Sequence, residues 1–294
     1  MKKFFALVVC ICIVSAASAQ LLYKVSGNGL EKPSYLFGTH HLAPITILDS
    51  IPGFETAFNS TSRVVGELNM SEMMSPDAMQ LMQKSMFIDN DTTLNMLLTP
   101  EEFAIVNKFA KENMMVDLEM AQKLKPSFIN NNVAMVVYMK HNPGFNPQEQ
   151  LDMYLQQKGT EQGKKVGAFE TMEFQLNLLF NSQSLKRQAE LLVCSLIDEE
   201  RSFDEMKRLT EGYMAQNLNA LHELSLERLG NNCDPLPGEM EAMTDERNKR
   251  WVETLPAMMK ESPVFVAVGA LHLSGENGLI ELLKKQGYTV EAVQ

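Results

Sequence analysis

Two short strings near opposite ends of the chain share one design. Gly38-Thr39-His40-His41 follows the apolar run Tyr35-Leu36-Phe37, and Gly269-Ala270-Leu271-His272 follows Val264-Phe265-Val266-Ala267-Val268. Short apolar runs of this kind read as buried strands. A histidine just beyond the carboxyl end of such a strand stands where open α/β sheets place their ligands. If both strings serve one site, the two ends of the chain must lie side by side in one sheet, and everything between them must be accommodated around it.

The first residues read as an export leader rather than as structure. Lys2-Lys3 supplies the positive start, an apolar run follows from Phe4, and Ala17-Ser18-Ala19 fits an A-x-A cleavage site. That run is too short to span a bilayer, and Cys10 and Cys12 within it are expected to leave with the leader. Residues 1–19 are therefore expected to be a signal peptide and residues 20–294 the working domain, exported to a periplasmic or extracellular location. Losing two lysines and no acids takes the formal net charge from −11 to −13. No basic cluster is present, so neither nucleic acid nor an anionic membrane surface is an expected partner. No later segment is long and apolar enough to read as a stable membrane span. Cys194 and Cys233 remain, and in an exported chain they are expected to pair as a disulfide, with two buried thiols as the other reading. The absence of a Cys-x-x-Cys pair argues against a cysteine metal site.

The order of elements defines a mixed α/β (α+β) fold class. Residues 21–25 and 34–37 read as strands of a hairpin turned at Gly27-Asn28-Gly29. A small helix is expected near residues 54–58, and residues 63–68 are a further strand running into Gly66-Glu67. Ser75-Pro76-Asp77, Thr99-Pro100-Glu101-Glu102 and Lys125-Pro126-Ser127 each open a helix, the second with a capping box. Residues 148–157 are helical, 165–169 form a short strand ending at Glu170, and 171–230 are helical again. A single helix is expected over 239–260, then a β-α-β tail of strand 264–268, helix 277–286 and strand 288–293. Strands from both chain ends thus form a central sheet, and a largely helical middle forms cleft walls. The 21 methionines concentrate in that middle, where their adaptable side chains serve as core packing or as the lining of a groove.

Of the five histidines, His41 and His272 share the strand-end setting. His141 lies at an expected helix end beside Asn142-Pro143-Gly144. His222, in Leu221-His222-Glu223-Leu224, has Leu226 where a zincin helix carries its second histidine. Both are read as structural or solvated. Glu67 and Glu170 follow strands, so either can complete a two-histidine, one-carboxylate metal set or act as a general base; Glu170 can equally serve the helix after it. Arg247, followed by Asn248, can polarise a carbonyl or clamp a carboxylate, or form a surface salt bridge with Glu241 or Glu246. No G-x-S-x-G elbow, Walker loop or dinucleotide fingerprint is present.

Ser34-Tyr35-Leu36-Phe37-Gly38-Thr39-His40-His41 resembles the opening of the TraB/PrgY/GumN family. Val268-Gly269-Ala270-Leu271-His272-Leu273, Gly275-Glu276-Asn277-Gly278-Leu279 and Gly287-Tyr288 resemble its close. Glu67, the stretch from Glu170 to Gln175, and Arg247-Asn248 with Trp251 fall in the family's order. The family is similar to the Tiki metal-dependent proteases and, more distantly, to erythromycin esterases and haem-binding ChaN-like proteins. The resemblance implies that His41, His272 and Glu67 form the core of a metal site, with Glu170, Arg247 and Asn248 in supporting positions; His40, in the variable slot, can compete for the ion. The expected function is a metal-dependent hydrolase using manganese, cobalt or zinc and acting on a peptide or protein substrate. Glu67 would be ligand or base, and Arg247 would steady the oxyanion. The alternatives are a non-catalytic protein that binds or sequesters peptides on the same fold and, third, a haem or metal carrier.

Overall fold

The computed structural model describes residues 20–73 and 75–294; the expected leader lies outside the described residues. Among the described residues, strands β1 (Leu22–Gly27), β2 (Ser34–Thr39), β3 (Arg63–Gly66), β4 (Lys165–Ala168), β5 (Val264–Gly269) and β6 (Tyr288–Ala292) form one sheet. Their order is β4-β3-β5-β2-β1-β6. β1 runs antiparallel to β2 and β6, while β2, β5, β3 and β4 are parallel to their neighbours. The expected hairpin closes at Gly27, whose carbonyl accepts the Leu30 N–H at 3.0 Å. Asn28 and Gly29 both take positive φ there, as a type I′ turn requires, within the connection that follows the last strand pair, Val25 and Ser34. The expected β-α-β tail is present, but β2 and β1 lie between its two strands.

Hydrophobic pattern explains this placement. All of β5 from Val264 to Val268 is buried, as in a central parallel strand covered on both faces. In β6, Tyr288 and Val290 are buried while Thr289 and Glu291 face solvent, the alternation of an edge strand. Phe265 packs edge-to-face on Phe58 (5.0 Å between ring centres) and Phe54 (5.7 Å) of the helix Phe54–Asn59. The helix Leu151–Glu161 comes so close over β3 that a Cβ on Gly159 would stand 2.8 Å from Val64 Cγ2. A second core, built from Leu94, Val106, Ile129, Val133 and Leu192 among others, joins the helices of the middle.

The expected caps at Ser75 and Thr99 are in place. Ser75 Oγ accepts the Ala78 N–H, and Thr99 and Glu102 form the reciprocal capping box. Cys194 and Cys233 are joined by a disulfide with Cα atoms 5.8 Å apart. The helix expected over 239–260 is two helices, Glu239–Met243 and Asp245–Glu261. Thr244 leaves helical geometry, and its N–H and its hydroxyl both donate to the Met240 carbonyl, closing the first helix. Methionine contributes little to the deep core: among the described residues Met259 alone is fully buried.

Register brings the two Gly-x-x-His strings together, with Gly38 opposite Val268 and Thr39 opposite Gly269. Gly38 is glycine because the 3₁₀ turn Ala270–His272 lies on it: an added Cβ would meet Ala270 Cα at 2.9 Å. Gly38→Ala should therefore destabilise the fold by about 1–3 kcal/mol, the usual range for overpacking. A lowered midpoint in chemical denaturation would register it; an unchanged midpoint would mean that this approach is not tight.

Candidate active site

Four adjacent parallel strands end on one edge of the sheet, in the order β4, β3, β5, β2. Just past those ends stand Glu170, Glu67, His272 and His41 respectively. A cleft of about 460 Å³ opens over this edge. His40, His41, Glu67, Arg247 and His272 line it beside an apolar set that includes Leu178, Leu179, Leu209, Met240, Met243 and Leu271.

Arg247 organises the floor from the first turns of the helix Asp245–Glu261. Nε donates to Glu170 Oε1 at 2.9 Å, and Nη2 donates to Glu170 Oε2 at 2.7 Å and to Glu67 Oε2 at 2.5 Å. Nη1 donates to the Met243 carbonyl at 3.0 Å and approaches His272 Nε2 at 3.1 Å. These contacts engage all five N–H donors of a guanidinium. Side-chain exposure is 5% for Arg247 and 4% for Glu170, so this is a buried clamp rather than a surface salt bridge. Trp251 Nε1 donates to Glu170 Oε1, and Gln175 Nε2 donates to both carboxylates. Thr171, not Glu170, caps the next helix. Glu67 Oε1 accepts the Gly269 N–H at 2.9 Å, and a Cβ on Gly269 would press on that oxygen at 3.3 Å. The second string's glycine thus leaves a backbone donor open to the carboxylate.

Hydrogen bonding assigns the tautomer of His272. Asn248 Nδ2 donates to the carbonyls of His272 and Asn277, which turns its Oδ1 to His272 Nδ1 at 2.8 Å. Nδ1 must then carry the proton. Nε2 is left with its lone pair, consistent with the Arg247 N–H beside it. Glu67 Oε1 stands 3.6 Å from that nitrogen. The His272 ring packs on Trp251, which stacks on Phe169.

The first string is held differently. Thr39 Oγ1 donates to Asp152 Oδ1 at 2.9 Å, and His41 Nδ1 lies 3.4 Å from Asp152 Oδ2. The His41 side chain is 69% exposed and open to the cleft. His40 turns away to Thr210 Oγ1 and packs on Tyr213, whose hydroxyl donates to the Gly38 carbonyl. Sequence reading missed Asp152, Gln175 as a partner of both carboxylates, and Tyr213; no local motif marks them. His141 stacks on Phe203, and His222 lies beside Ser274.

Burial alone would raise the Glu67 carboxyl, but the adjacent imidazole, the Arg247 guanidinium and the Gly269 N–H reverse this and hold it at about 2. Burial pushes His272 down to about 4, with Glu67 opposing and Arg247 assisting. Burial, then its neighbour His41, lowers His40 to about 4 against the pull of Asp152. The Asp152 carboxylate beside its ring raises His41. At neutral pH the floor therefore carries an ionised carboxylate beside a neutral imidazole whose Nε2 lone pair faces the Arg247 N–H, the protonation forms in which these groups ligate a metal. Among the described residues, no three His, Cys, Asp or Glu side chains are gathered closely enough to hold an ion. His272 and Glu67 converge, and His41 faces the same cleft without closing on them.

The TraB/PrgY/gumN family description matches residues 21–292. The chain is 24% identical to the metalloprotease TIKI1 of Danio rerio over 89% of its own length, and 23% identical to TIKI2 of the same fish over 88%. It is 25% identical to TIKI2 of Xenopus tropicalis over 88%. It spans 57–61% of the length of these relatives. No solved structure matches. Among the described residues no helix is long and apolar enough to cross a membrane.

Two outcomes follow from the clamp. Arg247→Met should cost about 3–5 kcal/mol at neutral pH, because it leaves two carboxylates without their cation; a loss below 1 kcal/mol in urea unfolding would show that the carboxylates are solvated. His40 and His272 have folded values below their ordinary 6.5, and Glu67 below its ordinary 4.5. The unfolded chain therefore binds more protons in these windows. Stability should fall as pH drops from 6.5 towards 4 and again from 4.5 towards 2, with raised His41 working in the opposite sense. Thermal midpoints against pH, compared with His272→Ala, check this; the variant should have the shallower decline between pH 6.5 and 4.

Proposed function

Because the chain belongs to the TraB/PrgY/gumN family, we propose that it is an exported metal-dependent hydrolase that cleaves peptides. The observation that carries this reading is the meeting of a lone-pair-bearing His272 Nε2 with an ionised Glu67 on the floor of an apolar-walled cleft. Three relatives bear the name metalloprotease, which supports the same chemistry here. In this proposal residues 1–19 are the leader and 20–294 the catalytic unit. The disulfide Cys194–Cys233 suits the oxidising compartment that export implies.

His272, Glu67 and His41 would hold the ion. A bound manganese, cobalt or zinc would acidify a water and polarise the scissile carbonyl. Asn248 keeps the His272 proton on Nδ1, so that Nε2 remains a donor of electrons rather than of a proton. Arg247 keeps Glu67 ionised and orients both Glu67 and Glu170, and it lines the cleft where negative charge would develop on an oxyanion. Glu170 fixes Arg247 through two bonds. Leu178, Leu179, Met240 and Met243 would receive apolar side chains of the substrate, the methionines adapting to different shapes.

A second reading, a peptide-sequestering protein without catalysis, is favoured by one observation: the Arg247 donors that would meet an oxyanion are all engaged within the protein. Metal titration separates the two. Metal-stripped protein should gain about 2.7 kcal/mol when an ion is present at a hundred times its dissociation constant. The gain should vanish in His272→Ala and shrink in His41→Ala, and both variants should lose peptide cleavage while remaining folded. Peptide binding with no metal-dependent stabilisation and no cleavage would favour sequestration.

A further inference from the structure

Asp152 is a buried carboxylate with half of its bonding capacity unused. It lies in the first turn of the helix Leu151–Glu161 and is 9% exposed. Oδ1 accepts the Thr39 hydroxyl, but Oδ2 is buried and has no hydrogen-bond partner. Fastening a helix to Thr39 requires only a neutral acceptor, and burying a charge is costly unless it is paired. Among the described residues, the basic group within ion-pair reach of Oδ2 is His41, at 3.4 Å through Nδ1. That separation is long for a hydrogen bond, and catalytic contacts often tighten only when a site is in use.

The second string supplies a parallel inside the same site. His272 is engaged at Nδ1 by Asn248, which leaves Nε2 as the nitrogen that faces Arg247 and Glu67 on the cleft floor. Each string's histidine is thus approached at the same nitrogen by a side chain from a helix, an amide for one and a carboxylate for the other. Histidines that ligate metals commonly donate their second N–H to such a partner, which fixes the ring and its tautomer.

We propose that Asp152 is the positioning residue of His41: Oδ2 accepts the Nδ1–H, and the ring is held with Nε2 as the nitrogen available in the cleft. Thr39 orients the carboxylate by occupying Oδ1, which assigns a role to the second residue of the first string. What Nε2 is used for rests on the metal-hydrolase reading; the hold on the ring does not.

Asp152→Asn separates positioning from anchoring. Thr39 keeps the amide oxygen, so the NH₂ group turns to His41 Nδ1, which must then accept; the proton moves to Nε2. The fold retains its anchor while the tautomer inverts. Nitrogen-15 spectra of histidine-labelled, metal-free protein, at a pH where the imidazoles are neutral, should show His41 protonated at Nδ1 in the wild type and at Nε2 in D152N. His272 should remain protonated at Nδ1 in both, and His41→Ala assigns the signals. Cobalt binding to D152N should weaken about 10–100-fold, with little change in the metal-free thermal midpoint. A wild-type His41 protonated at Nε2, or a D152N spectrum identical to the wild type, would overturn the proposal and leave Asp152 as an anchor. If the tautomers behave as expected but the wild type binds no metal, the positioning stands and the metal reading fails.

Discussion

One guanidinium ties together three strand ends. Arg247 joins Glu67 beyond β3, Glu170 beyond β4 and His272 beyond β5. Two carboxylates brought together in a buried place repel each other and lose hydration, so they need a shared cation. The planar fork of arginine resolves this, because it binds one carboxylate in bidentate fashion and still has donors for the second and for an imidazole. A lysine could carry the charge but not the geometry. Such a cluster is weak grounds for stability, since an apolar replacement of all its members can do as well. Its value lies in holding reactive groups in defined ionisation states.

The supporting layers serve the same end. Asn248 sets the proton on His272, Trp251 covers that ring and donates to Glu170, and Gln175 spans both carboxylates. The glycines of the two strings have separate reasons: Gly38 admits the turn that carries His272, and Gly269 opens its N–H to Glu67. Above this polar floor the walls are leucine and methionine. The change from charged floor to apolar wall is what a cleft needs if it is to exclude water from a reacting centre while accepting a greasy chain.

Much of the architecture was legible because it is written in local pattern. Apolar runs marked β2 and β5, turn residues marked the hairpin, and Ser75 and Thr99 marked helix starts through their caps. The strand-end positions of His41, Glu67, Glu170 and His272 were legible for the same reason, as each lies directly after a recognisable strand. The break at Thr244 was not, since the surrounding residues keep a helical composition. Whether the methionines pack a core or line a groove was not legible either, because side-chain type says little about which face of a helix is covered.

The sequence by itself determined which residues become strands and helices, where glycine is required and which side chains stand at strand exits, because each depends on neighbours within a few positions. Only the tertiary structure decided which of them meet. Arg247 reaches Glu67 across 180 positions and Glu170 across 77, and Thr39 reaches Asp152 across 113. Those encounters depend on the sheet order β4-β3-β5-β2 and on how closely two helices lie over it, and no period or spacing along the chain records either. The ionisation of Glu67 and the neutrality of His272 follow from the same encounters, because a pKa reports the charges and burial around a group rather than its neighbours in sequence.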